Sequence, residues 1–143
     1  MANFDDSFDK ISIIEGGYVN DPDDAGGETY CGISRRFHPY SKIWTIIDNY
    51  KKTYKTTKEI NKALKQNKEV KKYIKRIYKS EYWDELFLDD VPSQDIADQL
   101  FDDAVNRGVK SAIIIAQAVC GMTITGKMNE ALMINLKRYG TKK

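Results

Sequence analysis

The stretch Glu15-Gly16-Gly17-Tyr18-Val19-Asn20-Asp21-Pro22-Asp23-Asp24-Ala25-Gly26-Gly27-Glu28-Thr29-Tyr30-Cys31-Gly32-Ile33 is where the chain changes character. Before it, residues 3–15 predict a helix, because Phe4, Phe8 and Ile11 recur at the i, i+4, i+7 spacing of one buried stripe. Glu15 falls one step further along that stripe, and Gly16-Gly17 then stops the helix. Inside the stretch, Asn20, Asp21, Pro22, Asp23, Asp24, Gly26 and Gly27 are turn-formers, and Thr29 to Ile33 is the nearest text to a strand. The expectation is a short irregular β-hairpin, or two or three small strands.

A carboxylate on an apolar face asks for a chemical explanation. Burial disfavours the charged form, moving a glutamate from about 4.3 toward about 6, where it can act as a general acid. Glu15 is placed for that treatment. Asp21, Asp23 and Asp24 would stay ionised in a hydrated turn, and Thr29 is placed to hold a water. Two carboxylates in opposed environments fit glycoside hydrolysis. The bland alternative is that Glu15 caps a helix end while the aspartates make Asx turns or a calcium loop. An EF-hand does not fit the spacing, and no glutamate closes a 12-residue loop.

Outward from this stretch the text is helical. Thr56 to Glu59 is a capping-box pattern with Ile60 and Leu64 behind it, and Asn67 is placed to cap the following helix. Ser93, after Pro92, opens a helix that runs to Gly108; residues 110–119 form the most apolar helix, expected to be central; and Met128 to Arg138 close the chain with Leu132, Met133 and Leu136 inward. Trp44 and Trp83 are expected in the core. The reading is a mainly α (α+β) chain with a small β-hairpin after the first helix.

At 143 residues the chain suits one domain, 1–143, and its 41% hydrophobic and 31% charged residues are those of a globular protein. The longest uncharged apolar run, Ala112 to Met122, interrupted by Gln117, falls short of the roughly 20 residues of a transmembrane segment. The first residues lack a basic and an apolar region, so no signal peptide is expected. Cys31 and Cys120 fit neither a zinc cluster nor a disulfide framework, and neither metal nor cofactor is expected.

The net charge of +2 conceals a division. Between Lys51 and Lys79, eleven lysines and one arginine face only Glu59 and Glu69, while Ser80 to Asn106 carries nine carboxylates and no basic residue. A basic face of this kind suits a polyanionic partner such as a cell-wall polymer, or it simply solvates helices. No nucleic-acid-binding pattern accompanies it.

The quoted stretch resembles the N-terminal signature of glycoside hydrolase family 108, N-acetylmuramidases of the lysozyme-like superfamily. That signature reads E-G-G-Y, then N-x-P-x-D-x-G-G-x-T-x-x-G-I, and every fixed position is matched. Tyr82-Trp83, Leu100-Phe101-Asp102 and Val105-Asn106-Arg107-Gly108 are similar to the family's Y-W and L-F-D-x-x-V-N-x-G, so the resemblance covers roughly residues 4–120. It implies a lysozyme-like fold, Glu15 as catalytic acid, Asp24 as second carboxylate and Thr29 in support. The wider superfamily's five-residue Asp–Thr gap points to Asp23 instead, which stands as the reserve.

Residues 109–143 would then be a reduced form of the C-terminal peptidoglycan-binding part found in other members. The implied substrate is the peptidoglycan glycan strand. The implied activity is cleavage between N-acetylmuramic acid and N-acetylglucosamine. A lytic transglycosylase using the same glutamate, or a non-catalytic wall-binding or secretion-assisting module, are the alternatives. Tyr18, Asn20, Tyr30 and Asn106 are candidate substrate contacts, since such side chains stack on and hydrogen-bond to sugars; ordinary packing is the competing reading for the tyrosines. Arg35-Arg36 and His38 follow the hairpin, with His38 read as a surface or packing residue. A monomer is expected, made in a bacterial cytoplasm and reaching the wall by holin-type release or linked to secretion, as for a phage endolysin.

Overall fold

Helix α1 (Phe4–Ser12) carries the first apolar stripe, and Phe8 and Ile11 on it are buried. The computed structural model describes residues 1–12, 17–21, 23 and 27–141, so Glu15 and Asp24 lie outside the described residues. After α1 come strands β1 (Tyr18–Asn20), β2 (Glu28–Tyr30) and β3 (Ile33–Ser34), then helices α2 (Ile43–Thr53), α3 (Thr57–Gln66) and α4 (Lys68–Tyr78). A π-turn (Lys79–Trp83) and two 3-10 turns lead to α5 (Gln94–Arg107), α6 (Val109–Val119) and α7 (Glu130–Thr141). The fold is mainly α with one small antiparallel sheet, of order β1-β2-β3 among the described residues.

The chain sorts into two units, Met1–Ile11 with Tyr78–Lys143 and Ser12–Ile77. In the first, aromatic rings make the core. Phe4 meets Trp83 and Phe101 edge-on at 5.5 and 5.6 Å, and Phe8 meets Tyr78 at 5.5 Å. Such contacts each contribute about 0.5–1.5 kcal/mol beyond area burial. Trp83 and Phe101 have no exposed surface. The Tyr82-Trp83 and Leu100-Phe101 motifs are therefore packing motifs. Trp83 also donates its indole N–H to Asp89 at 2.8 Å, which satisfies the one polar atom on a buried ring.

Beside this core Ser7, only 1% exposed, donates to Asp98, which also pairs with Lys10. Gln94 donates to Ser7 and to Asp98, so the buried hydroxyl is fully partnered. Ser93 caps α5 by accepting from the Ile96 N–H, and Gly108 ends it at φ 95°, a conformation that favours glycine.

Helix α6 is less central than its apolar composition predicts. Ala112, Ile113 and Ala116 are buried, but Val119 is 79% exposed. The polar interruption at Gln117 is the unexpected core residue. Its side-chain oxygen accepts from the Thr125 and Gly126 N–H groups, and its amide donates to Thr125 Oγ1, so it organises the whole turn before α7. On α7, Leu132 and Leu136 point inward as predicted, with Met133 half-buried.

In the second unit the predicted caps hold. Thr56 accepts from the Glu59 N–H, and Asn67 accepts from the Glu69 and Val70 N–H groups. Helix α2 precedes them without a side-chain cap, so only its buried Ile43, Trp44 and Ile47 mark it in the sequence.

Candidate active site

The sheet positions the described candidates. Tyr18 pairs with Tyr30, Val19 with Thr29, and Asn20 with Glu28; the tight turn at Cys31-Gly32 then brings Ile33 back opposite Tyr30. Cys31 and Gly32 have φ of 51° and 77°, the left-handed pair that a two-residue type I′ hairpin turn requires.

Side chains alternate along a strand, so Tyr18, Asn20, Glu28 and Tyr30 share one face and Thr29 lies on the other. Tyr18 and Tyr30 are each 5% exposed. Burial pushes the Tyr30 hydroxyl well above its ordinary range. Asn20 is exposed and Thr29 half-buried. In the turn, Asp23 is exposed and its N–H donates to the Asp21 carboxylate at 2.9 Å, an Asx turn. Asn106 stands on α5 in the other unit, where its amide donates to the Asp102 carbonyl and carboxylate.

Sequence reading misses the polar network that braces this sheet. Glu28 accepts from the Tyr18 hydroxyl at 2.6 Å, from Lys51 at 3.1 Å and from Arg35 at 3.1 Å. Arg35 makes in turn a two-pronged pair with Asp48, both bonds 2.8 Å, and lies 5.6 Å over the Trp44 ring. Arg35, which follows the hairpin, is thus committed to the scaffold. Burial alone would push the Glu28 carboxyl up. The Tyr18 hydroxyl and the Lys51 and Arg35 cations outweigh it and hold that carboxyl below its usual range. These residues belong to two strands, a turn and a helix, so no local spacing announces them.

Asn61 on α3 is a second such residue. Its side-chain oxygen accepts from the Tyr18 N–H at 2.6 Å, fixing the start of β1. A Cβ at Gly17 would stand 2.4 Å from that oxygen, which gives the second glycine of the Gly16-Gly17 pair its physical reason. His38, by contrast, turns its ring toward the Ser34 carbonyl and its own carbonyl to the Trp44 indole. Among the described residues no group of three or more His, Cys, Asp or Glu is placed to hold a metal ion.

The profile of the family described as Glycosyl hydrolase 108 matches residues 8–108. The chain belongs to that family. A glycosyl hydrolase acts on a glycan, so the substrate class follows from membership. The family match takes in the whole Ser12–Ile77 unit and ends at Gly108, the glycine that closes α5. Helices α6 and α7 lie beyond it.

Among solved structures the chain is similar to that of Brucella abortus SagA. The two are 26% identical with a TM-score of 0.62, over 94% of this chain and 68% of that one. A search of curated proteins finds no match. Among the described residues no helix is long and apolar enough to cross a membrane.

Proposed function

We propose that this glycosyl hydrolase is a peptidoglycan hydrolase of the lysozyme type, cleaving the β-1,4 bond between N-acetylmuramic acid and N-acetylglucosamine. The observation that carries the reading is the family match over the block that begins at Glu15, followed by a sheet braced at Tyr18, Glu28 and Asn61. In this reading Glu15, which continues the apolar spacing of Phe4, Phe8 and Ile11 in the sequence, gives its proton to the leaving oxygen. Asp24, or Asp23 in reserve, stays ionised and assists water or the oxocarbenium-like transition state, with Thr29 in support. Asn20 supplies its amide to the sugar's polar groups, and Tyr18 and Tyr30 shape the sheet that presents Thr29.

Replacing Glu15 by Gln removes the proton and keeps the shape. The Glu15→Gln chain is expected to lose at least about a hundredfold in turbidity clearance of purified walls, the low end of general-acid contributions. Undiminished lysis would overturn the assignment. Mass spectrometry of the products is expected to show reducing muramic acid ends; 1,6-anhydromuramic ends would make it a transglycosylase instead.

The Lys51–Lys79 segment serves the same function as an anchor for anionic wall polymers. Ile60, Leu64, Val70 and Ile74 turn into the protein, while Lys58, Lys62, Lys65, Lys68, Lys71 and Lys72 are exposed. Retention on walls is expected to fall as salt is raised from 0.05 to 0.5 M, because exposed charges are screened over a few ångströms at high salt.

A further inference from the structure

Helices α2 and α3 enclose a groove of about 590 Å3, within the range of about 300–1,000 Å3 common for ligand sites. Tyr50 on α2 and Tyr54, the residue just past its end, line one wall with ring centroids 5.8 Å apart. Glu59, Lys62 and Gln66, at the i, i+3, i+7 spacing of one helical face, line the other. Asn67 closes the end and donates to the Tyr50 hydroxyl at 2.8 Å, which fixes that ring and leaves its own proton to donate outward.

This groove belongs to neither the hairpin nor the core. Asn61, which holds β1, projects from a different side of α3, and Ile60 and Leu64 from the buried side. On α2, Asp48 and Lys51 serve the Glu28 and Arg35 network, while Tyr50 is turned well away from Asp48 around the helix. Among the described residues the Lys62 ammonium and the Gln66 amide have no ion-pair or side-chain partner, although both border the groove.

We infer that this groove is an accessory binding site for the N-acetylated glycan strand, distinct from the catalytic residues. The inference rests on the peptidoglycan reading for the identity of its ligand. Half-buried tyrosines offer apolar faces to the C–H faces of sugar rings and hydroxyls to their rims. Gln66 supplies both a donor and an acceptor for an acetamido group. Lys62 meets the carboxylate that a muramyl residue or its peptide carries. A mainly apolar ligand would leave Lys62 and Gln66 desolvated without partners, at a cost that a polyhydroxylated ligand avoids.

The test uses the full chain carrying Glu15→Gln, so that added glycan survives. Titration with chitotetraose, followed by amide NMR, is expected to move the resonances of Tyr50, Tyr54 and Gln66. Tyr54→Ala is expected to weaken retention on purified wall sacculi about tenfold, the scale of one lost aromatic contact. Tyr54→Phe keeps the ring and should retain most of the binding. Gln66→Ala, at an exposed position, is expected to weaken binding severalfold without touching the fold.

Groove resonances that ignore chitotetraose would overturn the inference. So would retention unchanged in both Tyr54→Ala and Gln66→Ala. Lysis assays on the chain with Glu15 restored separate this from the catalytic reading. Groove binding with no lysis would sink the proposed reaction and leave the site standing.

Discussion

The two units are held together by different chemistry. In Met1–Ile11 with Tyr78–Lys143, Phe4, Phe8, Tyr78, Trp83 and Phe101 meet edge to face, and stability follows from shape and volume. In Ser12–Ile77 an apolar core of Ile43, Trp44, Ile47 and Leu64 is joined by a polar brace: the sheet is tied to α2 and α3 by Glu28, Arg35, Asp48, Lys51 and Asn61, and the sheet's stability depends on charge and hydrogen-bond direction. Aromatic packing is indifferent to pH. A half-buried carboxylate between cations is sensitive to it, and it is the sheet carrying Thr29 that depends on such a group.

Substitutions should separate these two modes. The largest effect is expected from Trp83→Ala, which empties a fully buried site and should cost about 3–5 kcal/mol, read as a large fall in melting temperature by calorimetry. A loss below about 1 kcal/mol would mean that the aromatic core is not what holds its unit. Gly17→Ala comes next. It drives a Cβ into the Asn61 oxygen, and losing that bond to the Tyr18 N–H should cost about 1–3 kcal/mol, with faster amide exchange at Tyr18.

Glu28→Gln keeps the shape and removes the charge, leaving both Lys51 and Arg35 with only Asp48. About 1–2 kcal/mol is expected by denaturant unfolding, and the lysis rate should fall because the Thr29 strand loosens. Asn67→Ala removes the α4 cap for about 1 kcal/mol.

The smallest effect is a pH dependence of the sheet. The folded Glu28 carboxyl lies below its unfolded value of about 4.3, so its contribution is complete above that value and fades as pH falls through the depressed one. Hydrogen exchange across acidic pH should therefore show β1 and β2 loosening in the parent chain, and Glu28→Gln should weaken that dependence, leaving the part owed to Asp48. A parent whose sheet protection does not change with pH would mean that Glu28 does not brace the sheet.

Much of this was legible in the linear text because its causes are local. Apolar spacing along α1, the caps at Thr56, Asn67 and Ser93, and the glycine stop at Gly108 each act within one or two turns of chain. The hairpin was legible too, through its turn-formers, and so was the family, through a block of closely spaced fixed residues. Helix α2 escaped because it lacks a side-chain cap and starts after a turn-rich stretch. Gln117 read as an interruption of an apolar helix, since nothing adjacent says that Thr125 and Gly126 come to meet it.

The sequence by itself determined the helical class, the small sheet, the charge division and the family to which Glu15, Asp24 and Thr29 are referred. Only the tertiary structure decided that Tyr18 hands its hydroxyl to Glu28, that Arg35 and Lys51 converge there from a turn and a helix, and that Gly17 makes room for Asn61. The reason is range. Periodicity, caps and turns are properties of neighbouring residues, whereas a charge network or a groove exists only once distant segments pack and water leaves between them.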